Sequence, residues 1–201
     1  LFFVCLRAAF DSAPKAVSLL ILKIQISMAH TINIILFGIG NAGSALINKV
    51  TQERDSYSNA SADIRFPVIT NSTVAFFEKE EDGYAWEANF IRFAIPFKMD
   101  DVIEYVLEHD LHHLIAVDAT PSASLAAEYP DLVRTGFSIV SINESLQYQP
   151  DSFEKAINFL TATRGLGYKF INGVPGDATA AGDALYKGIL EVAGKVKEAA
   201  A

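Results

Sequence analysis

Cysteine is almost missing from this chain. Cys5 stands alone among 201 residues, so no disulfide can form within it. That fits a reducing compartment, and a cytoplasmic location is expected. Positive charge is scarce too: 16 Lys and Arg face 24 Asp and Glu, a formal net charge of -8. Such a surplus repels phosphate backbones and anionic lipid, so neither nucleic acid nor a membrane surface is an expected partner. Long apolar runs are absent from the opening residues. There the longest clean stretch, Ala16 to Leu22, falls well short of the ~20 residues of a membrane span. A signal peptide would need a longer apolar block and a small-residue cleavage site. Residues 1–27 are therefore expected to be a non-native or disordered extension, with Met28 as the natural start. An intact mass that includes residues 1–27, on protein purified from its source, would refute this. Internal repeats and low-complexity segments are lacking as well.

What is present is ample apolar material, 51% of the residues, arranged in short runs. Ile32 to Phe37 is an unbroken apolar run, as suits a strand buried on both faces. Ile64–Thr70, Leu114–Val117 (ending at Asp118), Phe137–Ile142 and Tyr168–Ile171 are further strand candidates. Helices are expected over Ala42–Val50, Asp100–His109, Ser122–Tyr129, Pro130–Thr135, Ser152–Thr163 and Ala180–Ala199. Gly136 should end the fourth of these. The last should place Leu185, Ile189, Val192 and Val196 on one side. Residues 55–63 read as a polar loop and 76–89 as irregular, with a solvated acidic run over 78–82. Strands alternating with helices predict an α/β fold, a Rossmann-type doubly wound and mainly parallel sheet. A dinucleotide-binding domain is expected over 28–176 and a C-terminal helix over 177–201. Ligands of such folds bind at the C-terminal ends of the strands.

Gly38-Ile39-Gly40-Asn41-Ala42-Gly43 lies where a pyrophosphate loop belongs, directly after a buried strand and opening a helix. Gly38 allows the tight turn, Gly40 lets the phosphates approach, and Gly43 lets helix and strand pack closely. The helix N-terminus then offers N–H donors and the positive end of its dipole. The dinucleotide implied is NAD or NADP. An Asp or Glu ending the second strand would accept from the ribose 2′-hydroxyl. Here Thr70-Asn71-Ser72-Thr73 stands instead, which keeps NADP open, with no Lys or Arg beside it in the sequence. His109, His112 and His113 cluster without a Cys or spaced carboxylate to complete a metal site, so no metal is expected. No serine lies in a nucleophile elbow.

Four stretches together resemble the nucleotide-binding domain of homoserine dehydrogenases, including the type fused to aspartokinase. They are Ile34 to Leu46; Val68-Ile69-Thr70-Asn71-Ser72 with Trp86 downstream; Val117-Asp118-Ala119-Thr120-Pro121-Ser122 with Tyr129-Pro130 and Gly136 to Asn143; and Tyr168-Lys169-Phe170. The resemblance implies an oxidoreductase of amino-acid biosynthesis, interconverting homoserine and aspartate semialdehyde with NAD(P). It implies pyrophosphate on the glycine loop, and adenosine ribose by Asn71 and Ser72. It also implies that Ala119, Thr120, Pro121 and Ser122 lie near the nicotinamide half, with Asn143 lining the same end. Family members place a Lys after the Asn that ends strand four. Here Glu144 and Ser145 follow Asn143, and a Glu cannot offer a developing alkoxide positive charge. Family enzymes also continue into a substrate and dimerisation domain. The chain is thus expected to be incomplete for catalysis by itself, with a homo-oligomer or a separate catalytic chain as partner. The alternatives are a non-catalytic dinucleotide-binding regulatory or interaction module, and a degenerate scaffold associating through its last helix.

Overall fold

The computed structural model describes residues 31–56, 63–78, 86–173 and 176–199. The expectations for residues 1–27 and for most of the acidic run after Glu78 lie outside the described residues, as do residues 57–62 of the expected loop.

Strand β1 (Thr31–Phe37) is central, and all but its first residue are buried. Its side chains alternate between two cores. Ile32, Ile34 and Leu36 enter one, while Ile35 and Phe37 enter the other. Both faces of this strand are therefore covered. Helix α1 (Asn41–Ser56) follows the glycine loop and leads to β2 (Asp63–Thr70), which pairs parallel with β1. The register slips between Asn33 and Ile35, opposite Phe66-Pro67. Pro67 has no N–H to donate, so a bulge at this point costs the ladder little.

The stretch expected to be irregular is partly regular. Strand β3 (Val74–Phe77) folds back antiparallel on β2, helix α2 (Trp86–Phe93) follows, and β4 (Ile95–Pro96) pairs antiparallel with β3. β3 escapes sequence reading because four residues are too few for a period-two signal. α2 escapes it because Phe90 is its one fully buried residue. Helix α3 (Met99–Glu108) then buries Val102 and Val106 and leads to β5 (Leu114–Asp118), which pairs parallel with β1. Helices α4 (Ala123–Ala127) and α5 (Tyr129–Thr135) connect to β6 (Ser138–Ser141). Gly136 ends α5 with φ 108°, a left-handed conformation that suits glycine. A 3-10 turn (Glu144–Tyr148), helix α6 (Asp151–Thr163), strand β7 (Tyr168–Phe170) and helix α7 (Ala178–Ala199) complete the order.

The seven strands lie in the order β4-β3-β2-β1-β5-β6-β7, parallel except for β3 and its pairings. This is the α/β, Rossmann-type doubly wound architecture. One face packs under α1 and α7 through Leu46, Ile47, Val50, Leu185, Ile189 and Val192. The other packs under α3 to α6 through Val102, Val106, Leu125, Leu132 and Ile157. α7 approaches α1 closely at Gly182, where a Cβ would sit 2.9 Å from Ala45. Leu185, Ile189 and Val192 of α7 are thus spent on this chain's own core, while Val196, expected on the same side, is only partly buried. No described helix is long and apolar enough to cross a membrane.

Candidate functional site

The strand order reverses direction at β1, which has β2 on one side and β5 on the other. Thr70, Phe37, Asp118 and Ser141 lie level across β2, β1, β5 and β6. The loops that leave these four residues lie at one edge of the sheet, and they carry nearly all the residues singled out above.

The glycine loop is held by backbone. Gly38 N–H donates to the Thr70 carbonyl (2.9 Å), and Ala119 N–H donates to the Phe37 carbonyl (2.8 Å). Gly38 has φ 95°, and a Cβ there would come within 2.8 Å of the Ala119 carbonyl oxygen. Gly43 is buried, and a Cβ on it would overlap the Gly38 carbonyl. Both glycines are required by the fold. Gly40 is different: it is exposed and a Cβ there would meet nothing within 4 Å. Ser44 N–H donates to the Gly40 carbonyl (3.0 Å), so Gly40 stands at the N-cap of α1. The N–H groups of Asn41, Ala42 and Gly43 precede the first intrahelical bond and have no partner within the helix. Ser44 Oγ braces the turn by donating to the Ile39 carbonyl (2.9 Å). Open space at Gly40 with free donors beside it suits a pyrophosphate.

Past β2 the chain turns at Asn71. Its Oδ1 accepts from Thr73 N–H (2.8 Å), Val74 N–H (2.8 Å) and the Thr73 hydroxyl (3.1 Å). The amide oxygen of Asn71 is therefore committed to the turn, and Ser72 is exposed beside it.

Past β5 and β6 the site is built from side chains. Asp118 is 1% exposed and four donors hold it. Its Oδ1 accepts from the Thr120 N–H (2.8 Å) and hydroxyl (2.7 Å). Its Oδ2 accepts from the Tyr129 hydroxyl (2.7 Å) and Asn143 Nδ2 (2.8 Å). Tyr129 Oη also lies 2.7 Å from Ser141 Oγ. Tyr129 has one proton, which goes to the carboxylate, so the Ser141 hydroxyl donates in that pair. Asn143 is fully buried; its Nδ2 also donates to the Ser122 carbonyl (2.8 Å), and its Oδ1 accepts from Ser145 N–H (3.0 Å). Burial pushes the Asp118 carboxyl above its ordinary range, against the pull of its hydrogen bonds from Tyr129, Asn143 and Thr120. Burial and the nearby Asp118 charge push the Tyr129 hydroxyl up as well. Sequence reading placed Asn143 at this edge of the sheet but did not give Tyr129 and Ser141 their part. Tyr129 meets Asp118 and Ser141 across 11 and 12 positions, and only the packing of its helix against the paired strands joins them.

Thr120 and Ser122 are partly exposed and Pro121 is exposed. The Ser122 hydroxyl accepts from Leu125 N–H (3.2 Å), capping α4. Glu144 is exposed at the start of the 3-10 turn, and the Ser145 hydroxyl is buried with no hydrogen-bond partner among the described residues. The three histidines do not converge. His109 stacks on Tyr105 with ring centroids 4.1 Å apart, and His112 lies 3.5 Å from Asp110.

A protein-family model described as the NAD binding domain of homoserine dehydrogenase matches residues 38–163, more than half of the chain. The chain belongs to this family. Two bifunctional aspartokinase/homoserine dehydrogenases are similar. That of Buchnera aphidicola is 23% identical over 136 residues, covering 67% of this chain and 17% of the relative. That of Haemophilus influenzae is 26% identical over 117 residues, covering 56% and 14%. The chain thus spans less than a fifth of these relatives. Solved structures share the fold. A hyperthermophilic archaeal homoserine dehydrogenase in complex with NADPH superposes with TM-score 0.54 at 18% identity, covering 70% of this chain and 43% of that one. A Candida auris protein of unknown function superposes with TM-score 0.57 at 21% identity, covering 72% and 39%. The expected fold, family and nicotinamide dinucleotide are thereby borne out. As an NAD-binding domain of the homoserine dehydrogenase family, the chain takes NAD or NADP as its cofactor.

Proposed function

We propose that this chain is the dinucleotide-binding part of an oxidoreductase that interconverts homoserine and aspartate semialdehyde, and that it needs further protein for turnover. The observation that carries the reading is Gly40, a glycine the fold does not need at the one place where phosphate would have to approach. Gly38 to Gly43 would cradle the pyrophosphate, and Asn71 with Ser72 would border the adenosine ribose. Ala119, Thr120, Pro121 and Ser122 would border the nicotinamide half. Asn143 has every side-chain polar atom engaged by protein, so it would act by holding the Ser122 carbonyl and Asp118 in place. The remaining substrate groups would come from protein outside these residues, a second copy or a separate catalytic chain among them. Work in amino-acid biosynthesis and a cytoplasmic location belong to the same proposal.

Calorimetric titration with NADP and then NAD tests it. Micromolar binding of either, without homoserine oxidation by the chain alone, supports the reading; failure to bind both overturns it. A second reading, a non-catalytic dinucleotide-binding regulatory or interaction module, is favoured by Glu144 and Ser145 at the positions after Asn143. A partner chain that restored homoserine oxidation would exclude it.

A further inference from the structure

The sequence offers no cation near Asn71, but the tertiary structure brings one there. β4 runs antiparallel beside β3, with Pro96 paired to Val74. The next residue, Phe97, donates its N–H to the Thr73 carbonyl (2.9 Å). Its ring packs edge-on against Phe37, centroids 6.3 Å apart, at the end of β1 and next to the glycine loop. Lys98 is the residue after Phe97, so it follows directly on the backbone bond to Thr73, within the turn that runs from Asn71 to Val74. Lys98 is exposed, has extended backbone (φ -139°, ψ 137°) and stands at the N-cap of α3. Its side chain makes no ion pair or hydrogen bond with any described residue.

We propose that Lys98 reads the adenosine ribose and selects the dinucleotide bearing a 2′-phosphate over the one with a free 2′-hydroxyl. This rests on the dinucleotide-binding reading above. Two observations meet at the turn. No carboxylate stands at residues 70–73 to accept from a 2′-hydroxyl and repel a phosphate, and Asn71 Oδ1 already accepts three bonds from Thr73 and Val74. What the turn leaves is the Asn71 amide N–H pair and the Ser72 hydroxyl, which can donate to a phosphate. Lys98 adds a compact charge on a flexible four-carbon stem, a phosphate ligand that can reach across one strand position. Asp100 and Asp101 follow in the first turn of α3, and their charge limits the size of the preference.

The test titrates the chain with NADP, NAD, 2′,5′-ADP and 5′-AMP, before and after Lys98→Ala and Lys98→Glu. The unaltered chain is expected to bind NADP more tightly than NAD, and 2′,5′-ADP more tightly than 5′-AMP. Lys98→Ala should weaken the two 2′-phosphorylated ligands about tenfold and leave the others within about twofold. Lys98→Glu should reverse the order. Thermal unfolding checks that both variants stay folded, as an exposed site predicts. If NAD binds and the 2′-phosphate adds nothing, or Lys98→Ala weakens all four ligands alike, this proposal falls and dinucleotide binding stands. If none of the four binds, both fall.

Discussion

Two parts of one sheet edge are built in opposite ways. The glycine loop after β1 is made mainly of backbone: Gly38 and Gly43 let main chain touch main chain, and Ser44 Oγ braces the turn from within the helix. The rim after β5 and β6 is made of buried side chains, with Asp118 gathering Thr120, Tyr129 and Asn143 around one carboxylate. The difference follows from what each part would meet. Pyrophosphate asks for N–H groups and close approach, which any side chain obstructs. The nicotinamide end asks for a rim of fixed shape, and a satisfied polar network fixes three loops at once.

Breaking the network should have the largest effect. Asp118→Ala leaves the Tyr129, Asn143 and Thr120 donors buried without their acceptor. It is expected to cost about 3–5 kcal/mol of stability, read from urea unfolding. A loss under about 1 kcal/mol would mean that water replaces the carboxylate. Breaking the backbone-built half should look different. Gly40→Val is expected to weaken NADP and NAD binding at least about 100-fold, about 2.7 kcal/mol, with the unfolding midpoint nearly unchanged. Gly43→Ala should lower both binding and stability, because its Cβ meets the Gly38 carbonyl. If the two glycines respond alike, the contrast between ligand-facing and fold-facing glycine is wrong.

Tyr129→Phe is a milder probe of the side-chain half. It removes one hydrogen bond to Asp118 and one with Ser141, and about 1–2 kcal/mol should be lost. The smallest expected effect is on pH dependence. Asp118 is raised by burial, so its contribution to stability is full below its ordinary value near 4 and is lost as pH rises through its raised value. Asp63, at the other end of β2, is held low: burial pushes it up, but the Arg65 and Arg54 guanidinium groups outweigh that. Its contribution is present above about 4 and is lost as pH falls through its lowered value. The stability difference between the natural chain and Asp118→Asn should therefore shrink as pH rises above 4. That for Asp63→Asn should shrink as pH falls below it. Parallel slopes would show that Asp118 is not pushed upward in the folded chain.

The legible part of the site is the part written in consecutive residues. Ile32 to Gly43 carries the strand, the turn and the helix start within one short stretch, so periodicity and glycine spacing suffice. Gly136 as a helix stop and the inward side of α7 were equally local. β3, β4 and α2 were not legible. Two are strands of two and four residues, and α2 has a single deeply buried side chain. Nor could sequence show that Asn143 would be sealed, with each polar atom of its amide bound to protein.

The sequence by itself determined an alternating α/β chain with a pyrophosphate-type loop, because two-sided burial and a glycine turn are properties of neighbouring residues. Tertiary structure alone decided that Asp118, Tyr129, Ser141 and Asn143 form one network, and that Lys98 stands beside the turn at Asn71. Those meetings depend on which strands pair and in what register, and pairing is settled by the packing of the whole sheet.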